Sequence, residues 1–362
     1  MNRLQMHGLA GAVALTALLS PMLANAQEIN FTDQEGREVH LAQPAERIVT
    51  IPMPMASTVI ALDGGTQSLV GLNPVSKTAI MEGILGKIFP EARDVTDKVT
   101  AANFVPNVEE LAAVNPDLVI QWGGRGGDLV DPITNAGMTA MLILYGTEER
   151  TREYMSMTAT ALGKPERIDA LVAWRDRVQH DIEAKAAGIA DADRPSVLYL
   201  GRALSDLTAS GSGNSYNNWY INLVGGQNAA AELEGTKPVN KEQIAEWNPD
   251  VILLNAFEPD LGVEWVYKDP ILSLTNAAKN HKVYKMPLGG YRWDPPNQES
   301  PLTWMWLANL VQPDVFDYDL RAEMKSAYET IYGYQLSEAD IDGVLWMDMQ
   351  GDAAGYDRFK AQ

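Results

Sequence analysis

Trp122-Gly123-Gly124-Arg125 and Tyr291-Arg292-Trp293 each set an arginine among aromatic side chains within a few residues. Rings offer flat faces for stacking, and a guanidinium fork binds carboxylate or metal-bound oxygens at two points. The chemistry that suits this pairing is recognition of a bulky, partly aromatic anion, not bond making. Catalytic patterns find little material here. Gly123-Gly-Arg-Gly-Gly127 lacks dinucleotide-loop spacing, and no Gly-Lys-Ser/Thr phosphate loop occurs anywhere. Gly211-Ser-Gly-Asn-Ser215 does not match the elbow that presents a hydrolase serine. The chain contains no cysteine, which removes thiolate ligands, disulfides and cysteine nucleophiles together. Beyond residue 26 the histidines are His40, His180 and His281, scattered along the sequence. A site for a bare transition metal wants several imidazoles and carboxylates converging. No catalytic residue, no metal ligand and no resident cofactor is therefore assigned, and any metal is expected to arrive already chelated.

The elements that must position these residues are short and apolar. Strands are predicted at 47–51, 68–72, 117–122, 141–145, 196–200, 250–255 and 282–286, nearly continuous in aliphatic residues as strands covered on both faces should be. Helical patterns separate them, so the fold class is α/β with doubly wound, mostly parallel sheets. In open sheets of this kind ligands bind where strands end and helices begin. That rule selects Met53, Met55, Phe104, Trp122, Arg125 and Tyr145 in the first half of the chain. In the second half it selects Asn214, Tyr216, Trp219, Phe257, Tyr291, Arg292 and Trp293. Met53 and Met55 serve equally well as core filler.

A repeated phrase divides the chain. Residues 108–120, VEELAAVNPDLVI, return as residues 241–253, KEQIAEWNPDVIL; five of thirteen positions are identical and four more exchange aliphatic residues. Two distant copies indicate two related lobes rather than a solenoid. Asn107 and Asn240 precede the copies as N-caps, with Glu110 and Gln243 at capping-box positions, leaving Glu109 and Glu242 to face outward. Between the copies, apolar residues at Ile168, Leu171, Val172, Val178 and Ile182 keep helical spacing behind Pro165. The expected organisation is a leader at 1–26, a first lobe at 27–163, a connecting helix at 164–190, and a second lobe at 191–362 with a helical C-terminal tail. The ligand cleft lies between the lobes.

Arg3, the apolar stretch from Leu9 to Leu23 and Ala24-Asn25-Ala26 read as a cleavable export signal, cut before Gln27. No later segment is long and apolar enough to span a bilayer. Without a cysteine at the cleavage point a bacterial lipid anchor is not expected, so the periplasm is the predicted location. The 28 basic and 48 acidic residues give a net charge of −20, which argues against nucleic acid as a partner.

In order along the chain, Arg47-Ile-Val-Thr-Ile51, Val108–Trp122, Leu223-Val-Gly-Gly-Gln-Asn228, Lys241–Leu254 and Ser300-Pro-Leu-Thr-Trp-Met-Trp-Leu307 resemble the substrate-binding proteins of iron-siderophore, haem and cobalamin ABC importers. The resemblance covers essentially all of residues 27–362. It implies two lobes bridged by one helix and capture of a chelated metal, with a ferric siderophore leading and haem or cobalamin following. Delivery would be to an ABC permease with its cytoplasmic ATPase. It also implies that Glu109 and Glu242 engage permease arginines and that the protein acts as a monomer. A molybdate or tungstate binder of the same architecture is the alternative cargo reading. A periplasmic chaperone for haem or metal complexes, and a hydrolase, are the competing functions. The tyrosines of the tail are expected to pack on the second lobe.

Overall fold

A computed structural model describes residues 28–213 and 215–361; residues 1–27, where the leader is expected, Asn214 and Gln362 lie outside the described residues. A hairpin of β1 (Ile29–Thr32) and β2 (Glu38–Leu41) precedes two separate sheets. The first sheet holds β3 (Ile48–Thr50), β4 (Leu69–Leu72), β5 (Leu118–Trp122) and β6 (Ala140–Ile143), all parallel, in the order β4-β3-β5-β6. The second contains β7 (Ser196–Leu200), β8 (Thr208–Ser210), β9 (Gln227–Asn228), β10 (Thr236–Pro238), β11 (Val251–Leu254) and β12 (Val283–Lys285). Its path is β10-β8-β7-β11-β12, with β9 also beside β7. Strands β7, β9, β11 and β12 run parallel, while β8 is antiparallel to both β7 and β10. All seven strands read from the apolar runs are present. The antiparallel strands Thr208–Ser210 and Thr236–Pro238 are not legible in the sequence, because three residues beside turn-forming sequence carry too little pattern.

The two copies of the repeat occupy equivalent places. Each begins as a helix, Val108–Val114 or Lys241–Trp247, whose N-cap asparagine accepts from the backbone three residues on. Each helix ends on an asparagine in the left-handed region, Asn115 at φ 43° and Asn248 at φ 45°. Asparagine is one of the few residues with a side chain that adopts that conformation readily, and it closes the helix. The proline that follows prevents the helix from continuing. Asp117 and Asp250 then accept from backbone N–H groups of the neighbouring segment, at Arg47 and Ser196 respectively, each at 3.0 Å. Both copies finish in a central buried strand, β5 or β11.

The helix Glu166–Ala186 links the two sheets in sequence and rises about 31 Å over its 21 residues. Beside it lies Ser300–Val311, buried at every position, including Trp304 and Trp306. A helix apolar all round belongs in the interior, and one continuous core joins both sheets through these two helices.

Residues 286–299 have no regular structure yet are buried throughout. A buried loop must satisfy its polar groups internally, and Glu299 does much of this. Its carboxylate accepts from Gly290 N–H, Trp293 Nε1, Tyr328 Oη and Tyr332 Oη at 2.6–3.1 Å. The tail therefore does more than cover the second lobe, a correction to the expectation. Tyr328 and Tyr332, on the helix Leu320–Tyr332, reach the seam, where Tyr332 packs edge-on against Phe89 of the first half. Lys87 also pairs with Asp340 at 2.7 Å. The tail returns along the interior helices, which bring it against both lobes at once.

The crowding around Glu299 makes a test. A Cβ on Gly290 would stand 2.4 Å from Glu299 Oε1 and 2.5 Å from Tyr332 Oη. Gly290→Ala should lower the unfolding free energy by about 1–3 kcal/mol, the usual cost of overpacking. An unchanged urea midpoint would show that the seam is looser than its geometry.

Candidate functional site

A cavity of about 140 Å³ opens between the lobes, walled by residues of both sheets' strand ends and of the central loop. From the first half it is lined by Met53, Pro54, Trp122, Arg125 and Tyr145; from the second by Tyr199, Asn217, Phe257, Asp294 and Pro295. Trp122 ends β5 and Phe257 lies just past β11, the strand-end position the crevice rule selects.

Arg125 is the most exposed cation of the wall. Its guanidinium carbon sits 4.5 Å from the Trp122 ring centre and 5.0 Å from that of Phe104. Among the described residues it has no ion pair and donates to no protein acceptor, so its fork is available to a ligand. Desolvation draws its pKa down from the ordinary value, yet an arginine keeps its charge at neutral pH. Trp122 packs edge-on against both Phe104 and Tyr145, with 6.1 Å between ring centres in each case. Its buried indole N–H has no partner among the described residues. Phe104 supports this stack from a strained turn in which Asn103 and Phe104 take φ of 57° and 66°. Gln121 Nε2 holds the turn by donating to the Phe104 carbonyl at 3.0 Å. Left-handed backbone at a non-glycine residue costs roughly 1–2 kcal/mol and persists only where its surroundings fix it.

Across the cleft, Phe257 lies between two cations, with the guanidinium carbons of Arg202 and Arg292 each 4.9 Å from its ring centre. Arg202 was not selected from the sequence, although it follows β7 directly and the strand-end rule would have found it. Asp294 is 1% exposed. Its Oδ1 accepts from Tyr199 Oη at 2.8 Å and from Ala256 N–H at 2.9 Å, while Oδ2 has no partner among the described residues. Burial pushes this carboxyl above its ordinary value, and its bonds to Ala256 and Tyr199 offset part of the rise. Nothing in the local pattern marks Asp294, since carboxylates are abundant in this chain.

The structure thus brings together Met53, Trp122, Arg125, Tyr145 and Phe257 of the selected residues, with Phe104 behind Trp122. Asn214 lies outside the described residues, and the remaining selected residues are placed elsewhere. Met55 is fully buried at the first turn of the helix Met55–Asp63, where it packs in the core. Tyr216 is buried under the linking helix, with its hydroxyl 3.2 Å from Glu148 Oε2. Trp219 stacks on Tyr216 and lines a separate groove along that helix. Tyr291, Arg292 and Trp293 belong to the seam: Arg292 donates to Ala256 O and, across the lobes, to Val75 O. Trp293 is held by Glu299, and Tyr291 is completely buried. Of the three, Arg292 ties the lobes together through Val75, behind the cavity wall. Among the described residues no cluster of histidines and carboxylates could hold a metal ion, and no helix is long and apolar enough to cross a membrane.

Glu109 and Glu242 both stand exposed at the second position of their helices. Glu242 shares an open hollow with Glu232 and Glu246.

Residues 59–288 match the family described as periplasmic binding protein. The molybdate-binding protein MolA of Haemophilus influenzae is 27% identical over 83% of this chain and 90% of its own length. The Fe(3+)-citrate-binding protein YfmC of Bacillus subtilis is 24% identical over 70% of this chain and 76% of its own. A periplasmic solute-binding protein of Veillonella parvula superposes with a TM-score of 0.81 at 33% identity, covering 90% of this chain and 99% of that one. These relatives are binding proteins, not enzymes, and the cargo is accordingly a ligand rather than a cofactor. The parallel sheets, the strand-end cleft and these matches lead to one conclusion: the chain belongs to the periplasmic binding protein family and is a substrate-binding protein of an ABC transporter.

Proposed function

We propose that the protein captures a compact anion between its lobes, either an oxyanion or a small metal chelate, and delivers it to its permease from the periplasm. The observation that carries this reading is Arg125, a guanidinium resting on two rings at the mouth of the cavity with no protein acceptor among the described residues. Arg202, on the opposite side, rests on Phe257 in the same way. The size of the cavity supports a compact cargo. Sites for drug-sized ligands hold roughly 300–1,000 Å³, and this cavity holds about 140 Å³. On this reading smaller anions rank ahead of the ferric siderophore that the resemblance implies. Molybdate and ferric citrate, named for MolA and YfmC, represent the two chemistries.

Docking in this reading uses Glu109 and Glu242, exposed on equivalent helices and free to meet permease arginines. The test of cargo is a thermal-shift panel of sodium molybdate, ferric citrate, a ferric hydroxamate, haem and vitamin B12. A ligand at 100 times its Kd stabilises the folded state by about 2.7 kcal/mol. One of the two compact anions should raise the midpoint, and Arg125→Ala should weaken that response about tenfold or more in Kd. A shift produced only by haem or vitamin B12 would refute the compact-anion reading.

A further inference from the structure

A cleft that draws in anions through Arg125 and Arg202 would be expected to offer donors only. Asp294 breaks that pattern. Its carboxylate is buried in the cavity wall, and Oδ1 is fixed by Tyr199 and Ala256. Oδ2 lacks a partner among the described residues. The arginine nearest to it in the seam does not neutralise it by contact, since Arg292 donates to carbonyls of Ala256 and Val75. A buried acceptor left unpaired is costly, and the cost is removed only by a partner that brings a hydrogen.

Resting on the compact-anion reading, we propose that Asp294 Oδ2 is an acceptor subsite that selects cargo carrying an O–H or N–H group beside its negative charge. A fully ionised tetrahedral oxyanion offers only acceptors and would set lone pairs against lone pairs. A protonated oxyanion, or a chelate with coordinated water, hydroxyl or amine, completes the hydrogen bond. The subsite therefore favours a hydrated or hydroxyl-bearing metal chelate over bare molybdate. Discrimination of this kind is strong, because the wrong ligand leaves a buried polar group unpaired.

Asp294→Asn tests this with almost no change of shape. The retained oxygen keeps the bonds from Tyr199 and Ala256, and the new amide turns the acceptor at Oδ2 into a donor. Hydrogen phosphate at pH 8 and molybdate are both tetrahedral dianions, and only the first carries an O–H; ferric citrate adds a chelate with coordinated water. Dissociation constants for all three are measured by calorimetry on wild type, Asp294→Asn and Arg125→Ala. Wild type should prefer hydrogen phosphate to molybdate and bind ferric citrate most tightly. In the asparagine variant the ratio of the two dianions should move toward molybdate by about tenfold or more, and ferric citrate should weaken. A ratio unchanged within about threefold, with binding still lost in Arg125→Ala, overturns the subsite and leaves the anion reading standing. No binding of any of the three by wild type overturns both.

Discussion

Arg175→Ala should destabilise the protein by about 3–5 kcal/mol, the range expected when one partner of a buried ion pair is removed. Arg175 lies on the linking helix with its side chain fully buried, and Glu148, on the helix Glu148–Ala161, is 7% exposed. The guanidinium grips the carboxylate at both oxygens, each at 2.6 Å, and donates its remaining arm to Asn297 O at 2.7 Å. Tyr216 and Arg152 also donate to the same carboxylate. One side chain thus joins the first lobe, the linking helix, the central loop and, through Tyr216, the second lobe. Alanine would strand much of this network in a dry interior, and Trp304 would lose the cation over its face. The double change Glu148→Leu with Arg175→Met should cost clearly less than the two single changes added together, since removing both charges leaves neither unpaired. Equilibrium denaturation with urea measures all of these. A loss below about 1 kcal/mol for Arg175→Ala would mean that water reaches the pair.

Replacing both Glu109 and Glu242 by lysine should reduce cargo uptake by about tenfold or more while leaving capture intact. On the proposed docking, each change puts like charges in contact with permease arginines, an arrangement that costs several kcal/mol across an interface. The alternative role for these residues is favourable interaction with the N-terminal end of a helix dipole, worth about 0.3–1 kcal/mol apiece. The two roles separate in experiment. A dipole role alone predicts a small fall in melting temperature and normal uptake. Docking predicts lost uptake with ligand-dependent stabilisation unchanged, and similar losses from either single variant because the two helices occupy equivalent places. Normal transport by the double variant would remove both residues from the docking surface.

The linking helix bears on how far the lobes can move. A helix beside a continuous core, with the seam fastened by Arg292 to Val75, Ile84 N–H to Gly289 O and Lys87 to Asp340, leaves little freedom for a wide rotation. Capture is then expected to involve small adjustments of the lobes.

Local pattern alone determined the seven core strands and the helical segments between them. Aliphatic runs such as Leu118–Trp122 and Val251–Leu254 can be buried only as strands covered on both faces, and their spacing required helices between them. The repeated Asn-Pro-Asp phrase determined that the lobes correspond, since a left-handed asparagine, a helix-stopping proline and a strand-stapling aspartate act within a few residues of chain. Tertiary structure decided which aromatic and charged side chains face the cargo. Trp122 and Trp293 look alike in sequence, each beside an arginine or glycine, yet one lines the cleft and the other is bonded to Glu299 in the seam. Residues 286–299 follow no period, so their burial depends on two lobes and a distant tail closing around them. The same convergence singles out Asp294 from 48 acidic residues, because an unpaired oxygen arises only when every other neighbour has been placed.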